Sequence, residues 1–238
     1  MRVLSDIPRR VLCVFAHPDD ADIGAGGTIA RWAAGGAEIT LVIVARGDKG
    51  TLDSELHPES LVETRRIEID SSSSHLGVSR VQNLELGDGE ITNDWALRRS
   101  LVQIIRSFKP DVVLSHDPTA IYFGSTYFNH RDHRELGFAL LDSVFPASHL
   151  PHYFPDAGPA HRVALVLLSG TMDPQVAVDI STSIAAKKRA VCCHESQVGT
   201  RATQVEASIE NTARSLGRRA GVMAAEVFRE LRNEMGSR

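Results

Sequence analysis

The stretch FAHPDDADIGAGGT (15–28) places one histidine and three aspartates within six positions, after an apolar run and before a glycine-rich segment. Imidazole and carboxylate groups are ligands that zinc and ferrous iron accept in proteins. His17 and Asp20 stand three positions apart at a predicted strand end, where a tight turn lets both side chains point to one side. The spacing therefore predicts two metal ligands, which need a third ligand from elsewhere at the same end of the sheet.

The glycines of this stretch favour a different function, a dinucleotide-binding loop of the pattern G-x-G-x-x-G. Gly24 and Gly26 match the pattern, but Ile29 stands at the third glycine position, and the sequence has no G-x-x-x-x-G-K-[ST] motif. Three carboxylates beside a phosphate would also repel it. A Rossmann-like nucleotide-binding oxidoreductase is therefore the alternative to a metal site, and it would bind NAD(P) without a metal.

A second polar cluster, FNHRDHRELG (128–137), holds His130 and His133 three positions apart, with Asp132 between them, at a predicted helix start. The cluster follows another apolar strand, so it can supply the third ligand to the ion held by the first cluster. The alternative is a pair of solvated polar loops, with Asn129 and Asp132 capping the helix. Two clusters that each follow a strand favour the shared metal site.

Apolar runs of strand length alternate with helical segments along the chain. Strands are predicted over 10–16, 38–45, 81–86, 111–115 and 162–169, and helices over 28–36, 59–76, 94–108 and 132–145, with 203–233 mostly helical. This alternation predicts an α/β fold, a three-layer, Rossmann-like and mostly parallel sheet with helices on both faces. Ligands of such sheets bind beyond the carboxyl ends of the strands, where both clusters fall. The proline-rich segment 146–161 is predicted to be a rigid, irregular loop at a pocket rim.

The composition is that of one globular domain over residues 1–238. The net charge of −4 gives no indication of a nucleic-acid partner, and no apolar run approaches the length of a membrane span. Three cysteines, Cys13, Cys192 and Cys193, lack zinc-finger spacing, and no signal peptide is recognisable. We therefore expect a cytoplasmic protein.

Together, AHPDDADIGAGGT and NHRDHRELG resemble the LmbE-like, or PIG-L, family of metal-dependent de-N-acetylases, which act on N-acetylglucosamine-containing conjugates. The resemblance extends through VARGDKGT (44–51), LELGDGEI (84–91) and KRAVCCHESQ (188–197). It implies a hydrolase for a small N-acetylated amino-sugar conjugate, with Zn²⁺ or Fe²⁺ as cofactor, that assembles as a homo-oligomer, a trimer or hexamer. A carbohydrate-binding relative without catalysis is a further alternative.

The resemblance also implies roles for individual residues. The implied metal ligands are His17, Asp20 and His133. Asp19 is the implied general base for the attacking water. His130 is the implied group that stabilises the oxyanion, in a protonated form, and protonates the leaving amine, with Asp132 as its orienting partner.

A further set is implied to bind the sugar or to line its pocket: Arg65, Asp88, Arg46 and His194. A salt bridge to Glu68 is the alternative for Arg65, and a capping or surface histidine is the alternative for His194. The resemblance leaves open whether His194 acts in its own or in a neighbouring subunit's site. Whether Tyr122 or Tyr127 assists the oxyanion is left open. Asp22 is predicted to cap the helix that follows it, and the neighbouring glycines to let that helix start close against the metal-bearing turn.

Overall fold

The computed structural model describes residues 1–233, so residues 234–238 of the predicted domain lie outside the described part of the chain. An eight-stranded sheet forms its middle layer, in the order β1-β9-β10-β8-β5-β2-β3-β4. The strands are β1 (Arg2–Leu4), β2 (Arg10–Phe15), β3 (Glu38–Ala45), β4 (Arg80–Leu86), β5 (Val112–His116), β8 (Leu165–Ser169), β9 (Val176–Asp179) and β10 (Ala225–Arg232). Their pairings are parallel except those of β10, which runs antiparallel to both of its neighbours. The predicted mostly parallel α/β fold is confirmed.

Helices cover both faces of the sheet: α1 (Asp20–Ala34), α2 (Pro58–Leu76), α3 (Trp95–Phe108), α4 (Arg131–Asp142), α5 (Ile184–Cys192), α6 (Glu195–Val198) and α7 (Ala202–Ala220). Alternate residues of β2 point to opposite faces, as the two-residue period of a strand requires. Cys13 and Phe15 belong to the core shared with α1, α2 and α5, while Leu12 and Val14 belong to the core shared with α3 and α4. None of the helices within residues 1–233 has the length and apolarity to cross a lipid bilayer.

Two predicted boundaries are wrong, and the more important of them is the start of helix α1. This helix begins at Asp20 rather than at residue 28, so the first polar cluster forms its opening turn. The glycines therefore lie inside a helix and not in a loop. A Cβ at Gly24 would come within 2.9 Å of Ser169 Oγ, and one at Gly27 within 2.8 Å of the Ile180 side chain. The glycines allow close packing as expected, but their neighbours are the last residue of β8 and the residue after β9.

The second wrong boundary lies near the carboxyl terminus. The helix α7 ends at Ala220, and Gly221 follows with a positive φ of 78°. The segment Ala225–Arg232 then forms β10 instead of continuing the helix predicted over 203–233. Its partners β8 and β9 are distant in sequence, so no local pattern specified this antiparallel insertion.

A short hairpin stands apart from the main sheet. It consists of β6 (Tyr122–Phe123) and β7 (Tyr127–Phe128), and it leads directly into the second polar cluster. The Asn129 N–H donates to the Ile121 carbonyl at 2.9 Å and closes the base of the hairpin. The hairpin is thus joined to the start of α4, where the cluster residues lie.

Candidate metal centre

Three donor atoms converge beyond the carboxyl ends of β2 and β5. His17 follows β2, Asp20 opens α1, and His133 lies in the first turn of α4. Asp20 Oδ2 is 3.1 Å from His17 Nδ1 and 3.2 Å from His133 Nε2, and the two nitrogens are 3.3 Å apart. Ligands about 2.0–2.1 Å from a tetrahedral zinc ion stand about 3.3–3.4 Å from each other. The triangle therefore fits three protein ligands of one such ion.

The other ring nitrogen of each histidine faces a polar partner. His133 Nδ1 lies 3.0 Å from Asn129 Oδ1, and a hydrogen bond there leaves the Nε2 lone pair for the ion. His17 Nε2 lies 3.2 Å from Asp88 Oδ1 and 3.3 Å from Asp132 Oδ2. Metal-binding histidines are usually oriented in this way, by a carboxylate or amide on the second nitrogen.

A second set of donors overlaps this triangle and consists of His17, Asp88, His130 and Asp132. Its contacts to His130 are longer, 3.9 Å from Nε2 to Asp88 and 4.0 Å from Nδ1 to Asp132. The set also uses His17 Nε2, the nitrogen that points away from Asp20. The tighter triangle is therefore the better candidate for the ion, and the second set surrounds it.

The electrostatics of the cluster favour a bound cation. Three carboxylates surround His17: Asp20, Asp88 and Asp132. Burial opposes a charge on His17, but its contacts with Asp132, Asp20 and Asp88 outweigh burial and raise its pKa to about 12. Burial likewise opposes a charge on Asp20, yet the charge of His133 holds the pKa of that carboxyl well below its ordinary value. A buried group of ionised carboxylates needs positive charge nearby, which a divalent metal supplies.

His116, at the end of β5, supports the His133 ring. The two rings stack with centroids 3.9 Å apart and nearly parallel planes. Burial lowers the pKa of His116 to about 4, and its Nε2 accepts a hydrogen bond from the Ala16 N–H at 3.1 Å. Its Nε2 also lies 3.4 Å from Asp20 Oδ2, so His116 faces the same carboxylate as His17 and His133.

Asp19 lies beside the triangle. Arg65 is almost fully buried, and its Nη2 donates to Asp19 Oδ1 at 2.8 Å while its Nη1 donates to the Gly47 carbonyl at 3.3 Å. The alternative pairing of Arg65 with Glu68 is wrong, because the Glu68 carboxylate accepts from the N–H and hydroxyl of Ser196. The arginine predicted to bind sugar hydroxyls is instead in a position to orient Asp19.

His130 is the N-cap of α4, and its Nδ1 accepts from the Asp132 backbone N–H at 3.2 Å. The proton of the neutral ring is therefore on Nε2. Burial, then the charge of His17, lowers the pKa of His130, so the expected protonated form is disfavoured. Asp132 was expected to orient this ring through its carboxylate, but that group accepts from the Gly89 N–H at 2.7 Å. Its backbone orients His130 instead, and Asn129 and Asp132 are not the caps.

His194 does not line the centre. It is fully buried, and its Nε2 lies 2.9 Å from Asp22 Oδ2. Asp22 is buried as well and accepts from His194 and, at 3.4 Å, from the Ser72 hydroxyl, so it is not the predicted helix cap. Both predictions fail for the same reason, because the two side chains hold α1, α2 and the α5–α6 turn together.

Arg46 directly follows β3, and its guanidinium is engaged in two ion pairs. Nη1 lies 3.0 Å from Glu59 and Nη2 lies 3.5 Å from Asp48. Asp48 in turn accepts from the Asp88 N–H at 2.9 Å. Arg46 therefore supports the loop that carries Asp88, and the predicted sugar contacts of Arg46 and Asp88 stay predictions.

Tyr122 and Tyr127 lie on the exposed β6–β7 hairpin. Sequence reasoning treated the residue after this hairpin, Asn129, as a possible cap and missed its contact with His133. The available signal was its position four residues before His133, since residues four apart share a helix face.

Comparisons with known proteins identify the family of this chain. Residues 12–144 match the family profile described as PIG-L: GlcNAc-PI de-N-acetylase. The chain is 36% identical over 193 residues to a diacetylchitobiose deacetylase of Thermococcus kodakarensis, covering 79% of this chain and 70% of that protein. It is 34% identical over 173 residues to 1D-myo-inositol 2-acetamido-2-deoxy-alpha-D-glucopyranoside deacetylase 2 of Saccharopolyspora erythraea, covering 62% and 60%.

Solved structures of other proteins superimpose on this chain. N,N'-diacetylchitobiose deacetylase from Pyrococcus horikoshii, complexed with its inhibitor MPG, superimposes with a TM-score of 0.86 at 31% identity, covering 94% of this chain and 84% of that chain. GalB, the 4-carboxy-2-hydroxymuconate hydratase from Pseudomonas putida, superimposes with a TM-score of 0.78 at 19% identity, covering 97% and 99%. The latter shows the fold alone, so the fold does not determine the reaction.

Proposed function

Because this chain belongs to the PIG-L family of de-N-acetylases, we propose that it hydrolyses the N-acetyl group of an N-acetylglucosamine-containing sugar or conjugate. The observation that carries the proposal is the triangle of His17 Nδ1, Asp20 Oδ2 and His133 Nε2, with Asp19 beside it. Three histidine and carboxylate ligands suit zinc, which we propose as the metal, with Fe²⁺ as the alternative.

We assign the roles of the individual residues from these contacts. A metal held by the triangle would lower the pKa of a water molecule and polarise the acetyl carbonyl. Arg65 holds Oδ1 of Asp19, so we assign Oδ2 as the acceptor of the proton from the attacking water. The Nε2–H of His130 donates a hydrogen bond to the carbonyl oxygen as negative charge develops there. The proton that Asp19 accepts from the water then passes to the leaving nitrogen as the C–N bond breaks, and the products are acetate and a free amine.

The substrate class rests on the relatives. The names of both curated relatives specify a sugar with an acetylated amino group, in diacetylchitobiose and in a 2-acetamido-2-deoxyglucoside. We propose the same acetamido sugar for this chain. The group attached to it, the cytoplasmic location and the trimeric or hexameric assembly stay predictions.

The test is acetate release from N-acetylglucosamine and from its α- and β-linked conjugates. We expect zinc-loaded protein to release acetate and chelator-treated protein to be inactive until metal is restored. Asp19→Asn should lower kcat by about 10²- to 10⁴-fold, the usual contribution of a general base. The control is Asp53→Asn, an exposed carboxylate on the 51–57 loop, which should leave the rate unchanged.

Two outcomes would contradict different parts of the proposal. If Asp19→Asn keeps the wild-type rate, the assignment of the base is wrong, although the activity stands. If zinc- and iron-loaded protein both release no acetate from any of these sugars, the function itself is wrong. Tight NAD(P) binding without metal would then favour the oxidoreductase, and sugar binding without turnover would favour a carbohydrate-binding relative.

A further inference from the structure

A loop outside the metal centre is held in one shape by a buried arginine. Arg106 of α3 is 1% exposed, and its guanidinium makes six hydrogen bonds of 2.8–3.3 Å. All six acceptors are backbone carbonyls, those of Ala147, Ser148, Leu150, Tyr153, Phe154 and Gly158. One side chain thus donates hydrogen bonds to carbonyls throughout the loop predicted over 146–161, which makes this loop rigid.

This loop also contains a strained residue. Phe154 has a φ of 47°, a left-handed conformation that a bulky side chain rarely adopts. Such conformations cost about 1–3 kcal/mol and persist where the surrounding structure enforces them, often at ligand sites. Here Arg106 holds the Phe154 carbonyl, and the buried ring packs on Trp95 with centroids 4.2 Å apart. The Phe154 ring, held in this conformation, thus positions the Trp95 indole.

A cavity of about 350 Å³ lies where this loop meets the first turn of α3. Trp95 and Arg99 line it from the helix, and residues 152–156 line it from the loop. Trp95 is 60% exposed, which is unusual for so large an apolar side chain. Arg99 and Asp156 form an ion pair beside it and offer both donors and acceptors.

We propose that this cavity binds a pyranose ring of a saccharide. A pyranose presents a face of C–H groups, which packs on an aromatic ring, and an edge of hydroxyl groups, which need donors and acceptors together. Trp95 and Tyr153 provide aromatic surfaces, and His152, Arg99 and Asp156 provide the polar groups. The volume is near the lower end of the range for small-molecule sites, which suits one sugar ring. The choice of a saccharide rests on the proposed function.

The cavity lies at the same end of the molecule as the metal centre. Trp95 follows Asp88 by only seven positions, so their Cα atoms are at most about 25 Å apart. The connecting loop is held against α4, because the Asn93 N–H donates to Glu135 and its side-chain amide to Asp142, both at 2.9 Å. A longer saccharide or glycoconjugate can therefore be held here while its acetamido group is at the metal.

The two tryptophans of the chain make the test direct. Trp32 is 1% exposed and Trp95 is 60% exposed, so a saccharide that contacts a tryptophan on the surface must contact Trp95. We expect saturable quenching of fluorescence when the zinc-loaded Asp19→Asn protein is titrated with N-acetylchitohexaose. By calorimetry in the same background, Trp95→Ala should bind the hexamer about tenfold more weakly, and Trp95→Phe should recover part of the loss. Phe138→Ala, an exposed aromatic of α4, is the matched control and should bind like its parent.

Several results would overturn the inference. The first is the absence of saturable fluorescence quenching up to millimolar hexamer, and the second is equal affinity of Trp95→Ala and its parent for the hexamer. The third is quenching that depends on protein concentration, which self-association at this face would produce. Acetate release from monomeric N-acetylglucosamine separates the two proposals, since Trp95→Ala should retain that kcat. Release without a Trp95 response refutes only the cavity, and a Trp95 response in a protein that releases no acetate refutes only the deacetylase.

Discussion

Arg106 should be among the largest single contributors to the stability of this protein, although it lies outside the metal centre. Three of its six hydrogen bonds, to Ala147, Ser148 and Phe154, are buried, and three are partly accessible. In Arg106→Ala, water can reach the three partly accessible carbonyls, but the three buried carbonyls lose their hydrogen-bond donor. A buried polar group left without a partner costs about 1–3 kcal/mol, so with some relaxation we expect a loss of about 3–5 kcal/mol.

Urea unfolding followed by circular dichroism measures this loss directly. A decrease of that size is a large part of the roughly 5–15 kcal/mol that stabilises most domains. Arg106→Lys should lie between the two proteins, because an ammonium has three donors at one point instead of a planar fork of five. The control on the same helix is Arg99→Ala, whose ion pair with Asp156 is exposed and should change the free energy of unfolding by at most about 1 kcal/mol.

A free energy of unfolding for Arg106→Ala within about 1 kcal/mol of the wild-type value would refute this expectation, because three buried carbonyls without donors should cost more than that. Limited proteolysis gives a second readout. The loop 149–160 should become a cleavage site in Arg106→Ala, while the metal centre keeps its zinc. Cleavage at other positions alone would show that Arg106 stabilises something other than this loop.

Three further changes test the metal centre and the packing of α1. Asn129→Ala should weaken zinc binding by about 10- to 100-fold, because the His133 ring loses its orienting partner; competition with a chromophoric chelator measures this, and unchanged affinity contradicts it. Gly27→Ala should lower the free energy of unfolding by about 1–3 kcal/mol, since its Cβ would overlap Ile180; a higher melting temperature would mean that helix propensity outweighs the overlap. Glu226→Ala should cost about 3–5 kcal/mol, because it leaves the buried Lys187 ammonium without its counter-ion; the double variant with Lys187→Met should recover stability in urea unfolding, and no recovery would argue against the pair.

The elements that the sequence predicted well are those with local signals. The strand β3 is a continuous apolar run, and α3 has an apolar stripe, an aspartate cap at Asp94 and Pro110 beyond its end. The strand β10 has no comparable signal, because Glu226 points into the core at a position where an apolar residue would be expected. Its carboxylate accepts from Lys187 and from the N–H groups of Gly27 and Thr28 inside α1. That partnership spans almost the whole chain, so periodicity could not reveal it.

The same distinction holds at the metal centre. Spacing within each cluster made His17, Asp20 and His133 candidates, because neighbours in a turn share a side. The pairing of side chains between clusters was not accessible. Arg65 was expected at the sugar and holds Asp19, 46 positions away, and His194 was expected at the pocket and holds Asp22, 172 positions away. Sequence reasoning identified residue types suited to the chemistry but could not decide which of them face the substrate.

The segment 20–28 at the start of α1 decides between the two functions that its composition allowed. An anion-binding glycine loop needs free backbone N–H groups that face a ligand. Here the N–H groups of Gly27 and Thr28 donate to the Glu226 carboxylate, and Gly24 packs on Ser169. In the first turn of the same helix, Asp20 presents its carboxylate to His17 and His133. A phosphate would meet negative charge at the first turn and occupied donors at Gly27 and Thr28, whereas a divalent cation would meet ligands, so this segment favours the metal over the nucleotide.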